Sequence, residues 1–259
     1  MYLSFVVPAY NEELYLAECL ESILDEIRRQ TASQYPQDSQ SPDFEVTVVN
    51  NASTDRTREV ALRYPGVRVV DEPRKGLPAA RQAGFDASSG KLIANVDADS
   101  RLPAGWIRNI LATFEAEPDL VALSGPVLYY DLLPHQRALV QFFYLTAFVT
   151  YAVNRWVLRV GSMIQGGNFV VSRAGIEAIG GFNLSISFYG EDTDLARRLN
   201  NVGEVRFSLG MKMLTSGRRL KQEGLLTMAA RYSINYLWTT FLKRPYSQTH
   251  IDVREQREG

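Results

Sequence analysis

The chain has 259 residues, 46% hydrophobic and 22% charged, with a formal net charge of −1. A chain of this size and balance folds into one or two globular domains with a large core, which excludes a disordered, collagen-like or disulfide-stapled molecule, and its near-neutral charge carries no general signature of nucleic-acid binding. A single cysteine, Cys19, leaves no internal disulfide and reads as a reduced, cytosolic protein, and the opening MYLSFVVPAYNEE lacks the regions of a secretion signal.

Residues 3–8, LSFVVP, form a β-branched apolar run, predicting a strand whose ladder stops at Pro8. Leu14, Leu16, Leu20, Ile23, Leu24 and Ile27 recur at helical spacing, predicting a helix from Glu12 to about Arg29. The polar, proline-bearing stretch 30–43 reads as an exposed loop. FEVTVVN at 44–50 is a second strand, and NASTD at 51–55 supplies cap-type residues for a helix around 56–64. VRVVD at 67–71 is a third strand, 76–88 a helix, and KLIANVD at 91–97 a fourth strand. This alternation predicts parallel strands with helices on both faces. Each of these strands ends in polar, acidic or turn-forming residues, and ligands of open α/β sheets bind beyond the carboxyl ends of the strands. Four such ends on one edge predict a single crevice.

After residue 100 the alternation fades. Helices are predicted at 106–117, 192–201 and 223–242, and strands or extended pieces at 120–125, 126–131, 166–172 and 205–209. Residues 138–160 hold 17 apolar residues of 23, close to the roughly 20 that span a bilayer. Arg155 and Arg159 lie inside that stretch, and each is costly at mid-bilayer. Three readings stay open: a helix packed in the core or against a second copy of the chain, a helix lying on a membrane surface, and a true span. Charge is unevenly spread, with 16 Lys/Arg against 24 Asp/Glu in 1–196 and 10 against 2 in 197–244. An acidic body followed by a basic segment fits a metal plus an anionic partner, either phosphate or a lipid head group; a solvated basic face is the plain alternative.

The sharpest chemical feature is V-D-A-D at 96–99. In a strand, residues two apart point to the same side, so Asp97 and Asp99 can face one cation if the strand geometry persists that far, and hard divalent ions bind carboxylate oxygens together with water and substrate phosphates. The second is G-E-D-T-D at 190–194, opening a helix. Capping alone explains acids there, but Asp192, with Glu191 beside it, is also placed to act as a general base toward a hydroxyl. The third is Gly166-Gly167-Asn168, where backbone can approach a bound group closely. No phosphate-binding G-x-x-x-x-G-K-[ST] loop and no G-x-G-x-x-G after a strand occurs, which argues against kinases, P-loop NTPases and NAD-dependent dehydrogenases.

Taken in order, VVPAYNEE at 6–13, VVNNASTDRT at 48–57, KGLPAARQAGFDASSG at 75–90, VDAD at 96–99, GGNFVVSR at 166–173, GGF at 180–182 and GEDTDLARRL at 190–199 resemble the family 2 glycosyltransferases, inverting enzymes of the GT-A fold. The resemblance implies an α/β fold with a mixed, mostly parallel sheet flanked by helices. It implies a nucleotide-sugar-binding half at 1–125, an acceptor-side half carrying the base at 126–220, and a C-terminal helix and tail at 221–259. It further implies a nucleotide-diphosphate sugar donor, foremost a UDP-sugar, a divalent metal (Mn2+ or Mg2+), and a sugar or lipid-linked acceptor. The expected site is cytoplasmic, with peripheral contact at the inner membrane face.

Residue by residue, Pro8, Ala9, Tyr10 and Glu12 fall in the family's first nucleotide-binding segment, and Lys75 where a basic residue contacts the nucleotide. Asp97 and Asp99 match its metal–diphosphate motif, and Asp192 its base. Asn51 departs from the pattern: an aspartate that contacts the base is usual there, although an amide can also bond a base edge. No Q-x-x-R-W follows Asp192, which favours transfer of single sugars. No histidine lies between 136 and 249 to join the metal, leaving aspartate, diphosphate and water, and Arg218 and Arg219 are placed to hold the diphosphate or an anionic acceptor. The rival readings are a polyprenyl-phosphate sugar transferase, a non-catalytic nucleotide-sugar-binding protein and a nucleotidyltransferase.

Overall fold

The structure, a computed structural model, describes residues 2–34, 44–152, 163–186 and 190–242. Strands β1 (Leu3–Ala9), β2 (Phe44–Asn50), β3 (Val67–Asp71) and β4 (Leu92–Val96) alternate with helices α1 (Leu16–Gln34), α2 (Thr57–Leu62) and α3 (Leu77–Ala87). They pair in the order β3-β2-β1-β4, all parallel. Two faces of this sheet are covered, and β1 shows why its sequence is apolar apart from Ser4. Leu3, Phe5 and Val7 pack with Leu16, Leu20 and Ile23 of α1, whereas Val6 points to the other side, with Ala80 and Phe85 of α3. Helix α4 (Trp106–Ala116) joins the first face, its Trp106 ring 6.0 Å from that of Phe5.

Two expectations need correction here. Strand β1 runs through Pro8 to Ala9, both paired with β2, because the β4 ladder already stops at Val6 and a proline is tolerated where a strand has a neighbour on one side only. Helix α1 continues to Gln34, into the stretch read as loop; residues 35–43 lie outside the described residues.

The second half completes the sheet. Strand β8 (Asn168–Ser172) runs antiparallel between β4 and β6 (Leu120–Ser124), and β9 (Glu204–Phe207) lies parallel to β6, giving seven strands in the order β3-β2-β1-β4-β8-β6-β9. The sheet is thus mixed and mostly parallel. Its one antiparallel member matters for the site: Asn168 lies opposite Val96, so the chain enters β8 where β4 leaves it. A second sheet of β5 (Ser100–Arg101), β10 (Met213–Thr215) and β7 (Val127–Tyr129) continues from that edge. Helices α6 (Arg173–Ala178) and α7 (Glu191–Leu199) follow β8, and α8 (Arg218–Glu223) and α9 (Leu225–Leu242) end the described chain. The single helix expected at 223–242 starts after Gly224, whose φ of +84° breaks it from α8.

Helix α5 (Pro134–Ala152) covers the described part of the apolar stretch; residues 153–160 lie outside the described residues. Val140 and Tyr151 are buried against the body, while Leu139, Phe142, Leu145 and Val149 are exposed along the helix. Among the described residues, no helix is long and apolar enough to cross a membrane.

Candidate active site

Parallel register brings Ala9, Asn50 and Asp71 side by side at the carboxyl edge of the sheet. The loops beyond them lie at the sheet edge from which Asp97 to Ser100 also leave β4. Pro8 and Ala9 are buried at the end of β1. Tyr10 lies beside Lys75: Lys75 Nζ donates to Tyr10 Oη at 2.8 Å and sits 4.0 Å from the ring centre. Asn51 is buried and works as a bracket. Its Nδ2 donates to the carbonyls of Glu72 (3.0 Å) and Arg74 (2.8 Å), and its Oδ1 accepts from the Gly76 amide (2.8 Å). An amide, with two donors and an acceptor, satisfies that arrangement where a carboxylate would face two carbonyl oxygens. Asn51 thereby fixes the loop that presents Lys75.

Asp97 follows β4, its side chain 41% exposed. Across from it, Gly167 has φ +75°, and a Cβ there would lie 2.2 Å from Asp97 Oδ2. Only glycine lets the β8 entrance press against this carboxylate. Asn168 anchors that entrance from below, its Nδ2 donating to the carbonyls of Gly125, Pro126 and Met211 at 2.8–3.2 Å. Cys19 is buried beneath, its Sγ donating to the Asp97 carbonyl at 3.6 Å, and burial together with Asp99 and Asp97 pushes its thiol well up, so it packs rather than reacts.

Asp99 faces the smaller sheet. Its Oδ1 accepts from Thr215 Oγ1 at 3.2 Å, and its Oδ2 lies 3.0 Å from Arg218 Nη2. Arg218 also bonds Glu12 Oε1 at 2.5 Å and lies over the Tyr15 ring at 4.6 Å. Although burial works against its charge, Asp99 and Glu12 hold the Arg218 pKa above the ordinary value. Arg219, by contrast, pairs with Glu223 at 3.6 Å. Arg218 therefore reaches the Asp99 carboxylate, while the neighbouring Arg219 is engaged along its own helix.

At the start of α7 three acids do three things. Asp194 pairs with Arg197 (2.7 Å) and Arg198 (3.8 Å), a structural arrangement within the helix. Glu191 bonds Arg81 Nη1 at 2.5 Å. Asp192 is half-buried, with Oδ1 accepting from the Thr193 amide at 2.8 Å. Both Glu191 and Asp192 approach Gly166, with an oxygen within 3.8 Å of the place its Cβ would take. Burial pushes Glu191 up to about 7, opposed by Arg81 and aided by Asp192. Burial likewise raises Asp192, against the amide bond from Thr193 and the charge of Arg81.

Arg81 is the residue that sequence reading missed. It is fully buried in α3, holds Glu191, lies 3.7 Å from Asp97 Oδ1, and rests 4.9 Å over the Phe169 ring. Its Nε and Nη2 make no hydrogen bond among the described residues. One signal was available: a charged side chain on the helix face that also carries Pro78, Ala80, Gly84 and Phe85, all buried.

The fit of a divalent cation is tested by the donors present. Strand β4 ends at Val96, so Asp97 and Asp99 lie in the turn beyond it and not on one side of a strand as the sequence predicts; their carboxylates are hard oxygen donors of the kind that Mg2+ or Mn2+ bind together with water and phosphate oxygens. No group of three or more His, Cys, Asp or Glu set for a metal occurs among the described residues, so the other ligands would be diphosphate and water.

The fold is the GT-A fold of nucleotide-sugar transferases. The mannosyltransferase PcManGT from Pyrobaculum calidifontis, whose structure is in complex with GDP-Man and Mn2+, superposes with a TM-score of 0.65 at 21% identity, covering 93% of this chain and 63% of that one. Among curated sequences, the uncharacterized glycosyltransferase EpsJ of Bacillus subtilis (strain 168) is 32% identical over 130 residues, 49% of this chain and 33% of that protein. The dolichyl-phosphate beta-glucosyltransferase ALG5C of Trichomonas vaginalis (strain ATCC PRA-98 / G3) is 38% identical over 106 residues, 38% of this chain and 29% of that protein. The chain thus spans about a third of the length of these relatives. The sequence profile of Glycosyl transferase family 2 matches residues 4–180, more than half of the chain, and the chain belongs to that family.

Proposed function

We propose that this chain moves a single sugar from a nucleotide-diphosphate sugar to an acceptor hydroxyl, with inversion at the anomeric carbon and with Mn2+ or Mg2+ held by Asp97 and Asp99. The observation that carries the reading is the meeting of two otherwise distant carboxylate groups: Asp97 after β4, and Glu191–Asp192 at the head of α7, joined through Arg81 and the Gly166–Gly167 entrance. Donor and base are then on either side of one gap. GDP-Man and Mn2+ in the mannosyltransferase of the same fold support a nucleotide-sugar donor and a divalent ion.

In this reading residues 1–125 seat the donor. Pro8, Ala9 and Asn51 shape the floor, Tyr10 and Lys75 flank the nucleotide, and Arg218 serves the diphosphate, while Arg219, expected beside it, is paired with Glu223. A cation bound at Asp97 and Asp99 would offset charge growing on the departing nucleoside diphosphate. Residues 126–220 bring Gly167 and Asn168 against the donor side and set Asp192 toward the acceptor. Asp192 takes the proton of the attacking hydroxyl, opposite the leaving group, and Glu191 with Arg81 fixes its place. Residues 221–259 add the closing helix and tail.

Expected in a thermal-shift panel of UDP- and GDP-sugars with Mn2+ or Mg2+ is a rise on the order of 5–10 °C at about 100 times Kd, for at least one donor, abolished by chelator. A panel without any metal-dependent shift contradicts the reading.

A second reading, a lipid-linked acceptor met at the cytoplasmic face of a membrane, is favoured by the exposed apolar side of α5 and by the dolichyl-phosphate named in a relative. Co-sedimentation with anionic liposomes separates it from transfer to a soluble acceptor.

A further inference from the structure

The guanidinium of Arg218 occupies the very carboxylate that the reading above gives to the cation. Its Nη2 lies 3.0 Å from Asp99 Oδ2 and 2.5 Å from Glu12 Oε1, its plane rests over Tyr15, and its side chain is only 19% exposed. Glu12 is buried, and one positive charge is shared between two acids from separate loops. A divalent ion that binds Asp99 meets this charge at close range and must displace or repel it.

The backbone that carries Arg218 is fastened. Asp131 accepts from the Gly217 amide (2.5 Å), from Ser216 Oγ (3.0 Å) and from Lys221 Nζ (3.0 Å), which pins the start of α8 on both sides of Arg218. A diphosphate would offer the planar guanidinium a bidentate anionic partner.

We propose that Arg218 is a built-in cation that stands in at Asp99 and Glu12 and transfers to the diphosphate when donor arrives, so that metal and diphosphate bind in mutual dependence. This rests on Asp97 and Asp99 being the cation's ligands. It goes beyond a diphosphate contact, because it assigns Arg218 two alternative partners and makes metal affinity conditional. Linkage then requires that the diphosphate strengthen the metal by the same factor as the metal strengthens the diphosphate.

The test is calorimetry on the whole chain with three titrations: Mn2+ alone, UDP or GDP alone, and Mn2+ with either diphosphate present. The native protein is expected to bind Mn2+ weakly alone and at least about 10-fold more tightly with diphosphate. Arg218→Gln should bind Mn2+ alone about 10-fold more tightly than the native protein, and show a correspondingly smaller enhancement by diphosphate, the part due to direct phosphate ligation remaining. Tyr15→Leu, which removes the shelf under the guanidinium and leaves every charge in place, should move Mn2+ alone in the same direction by a smaller factor, and it serves if Arg218→Gln does not fold. Arg218→Lys keeps a charge at the position and should bind Mn2+ alone as weakly as the native protein. Mn2+ affinity that is unchanged or lower in Arg218→Gln and Tyr15→Leu overturns the proposal. Asp97→Asn distinguishes the two levels: loss of Mn2+ binding there, with Arg218→Gln unchanged, overturns the stand-in role alone, whereas Mn2+ binding unaffected by Asp97→Asn overturns the metal assignment beneath it.

Discussion

Asp192→Asn is expected to lower sugar transfer by about 10²–10⁴-fold while binding of nucleoside diphosphate with Mn2+ stays near the native value. The substitution keeps size and the contact with the Thr193 amide, and it removes only the capacity to take a proton. Asp192 lies at the head of α7, while the donor-side carboxylate Asp97 lies beyond β4, so the two losses separate cleanly. The native rate should also fall with acidity. A base must be ionised to act, and burial raises the Asp192 pKa, so activity is lost as pH drops through a value above that of an exposed aspartate. Steady-state rates of donor turnover across pH, for native and variant chains, check both points. A variant that turns over at the native rate removes Asp192 from the role of base.

Arg81→Met is expected to have the largest effect on stability. Removing one member of a buried ion pair leaves the other uncompensated, at a cost of about 3–5 kcal/mol, or a fall on the order of 10 °C in melting temperature for a chain of this size. Here the abandoned group is Glu191, bonded at 2.5 Å, with Asp97 losing its more distant partner as well. The double variant Arg81→Met/Glu191→Gln should recover much of the lost stability, because the stranded charge is gone, and should remain poorly active, because nothing then holds the start of α7 against Asp97. Thermal melts followed by circular dichroism decide this. A single variant that melts within a degree or two of the native chain would show that the pair carries little.

The difference between what was legible and what was not follows from range. Strands β1, β2 and β4 announce themselves through short runs rich in apolar and β-branched residues, since both of their faces are covered, and the acids at 97–99 stand immediately after one of them. Carboxylates at a strand end and at a helix start are local patterns, so Asp97, Asp99, Glu191 and Asp192 could be named from sequence. Arg81 could not, because its meaning depends on Glu191, 110 residues away. The contact of Arg218 with Glu12 spans 206 residues. Of the smaller sheet only β7 falls in a piece read as extended; β5 and β10 were missed for another reason, since two and three residues are too few to show a period. Asn51 and Asn168 illustrate a third limit. Each reads as a polar residue beside a ligand, and each has its amide bonded to backbone carbonyls of loops that sequence cannot place beside it.

Anomalous diffraction at the manganese edge, from crystals grown with UDP and Mn2+, tests the central claim most directly. The account requires a manganese peak within bonding distance of Asp97 and Asp99, bridging to the diphosphate in the crevice beyond β1, β2 and β4. A diphosphate seated there with no manganese on those two carboxylates, or manganese bound elsewhere on the chain, contradicts it.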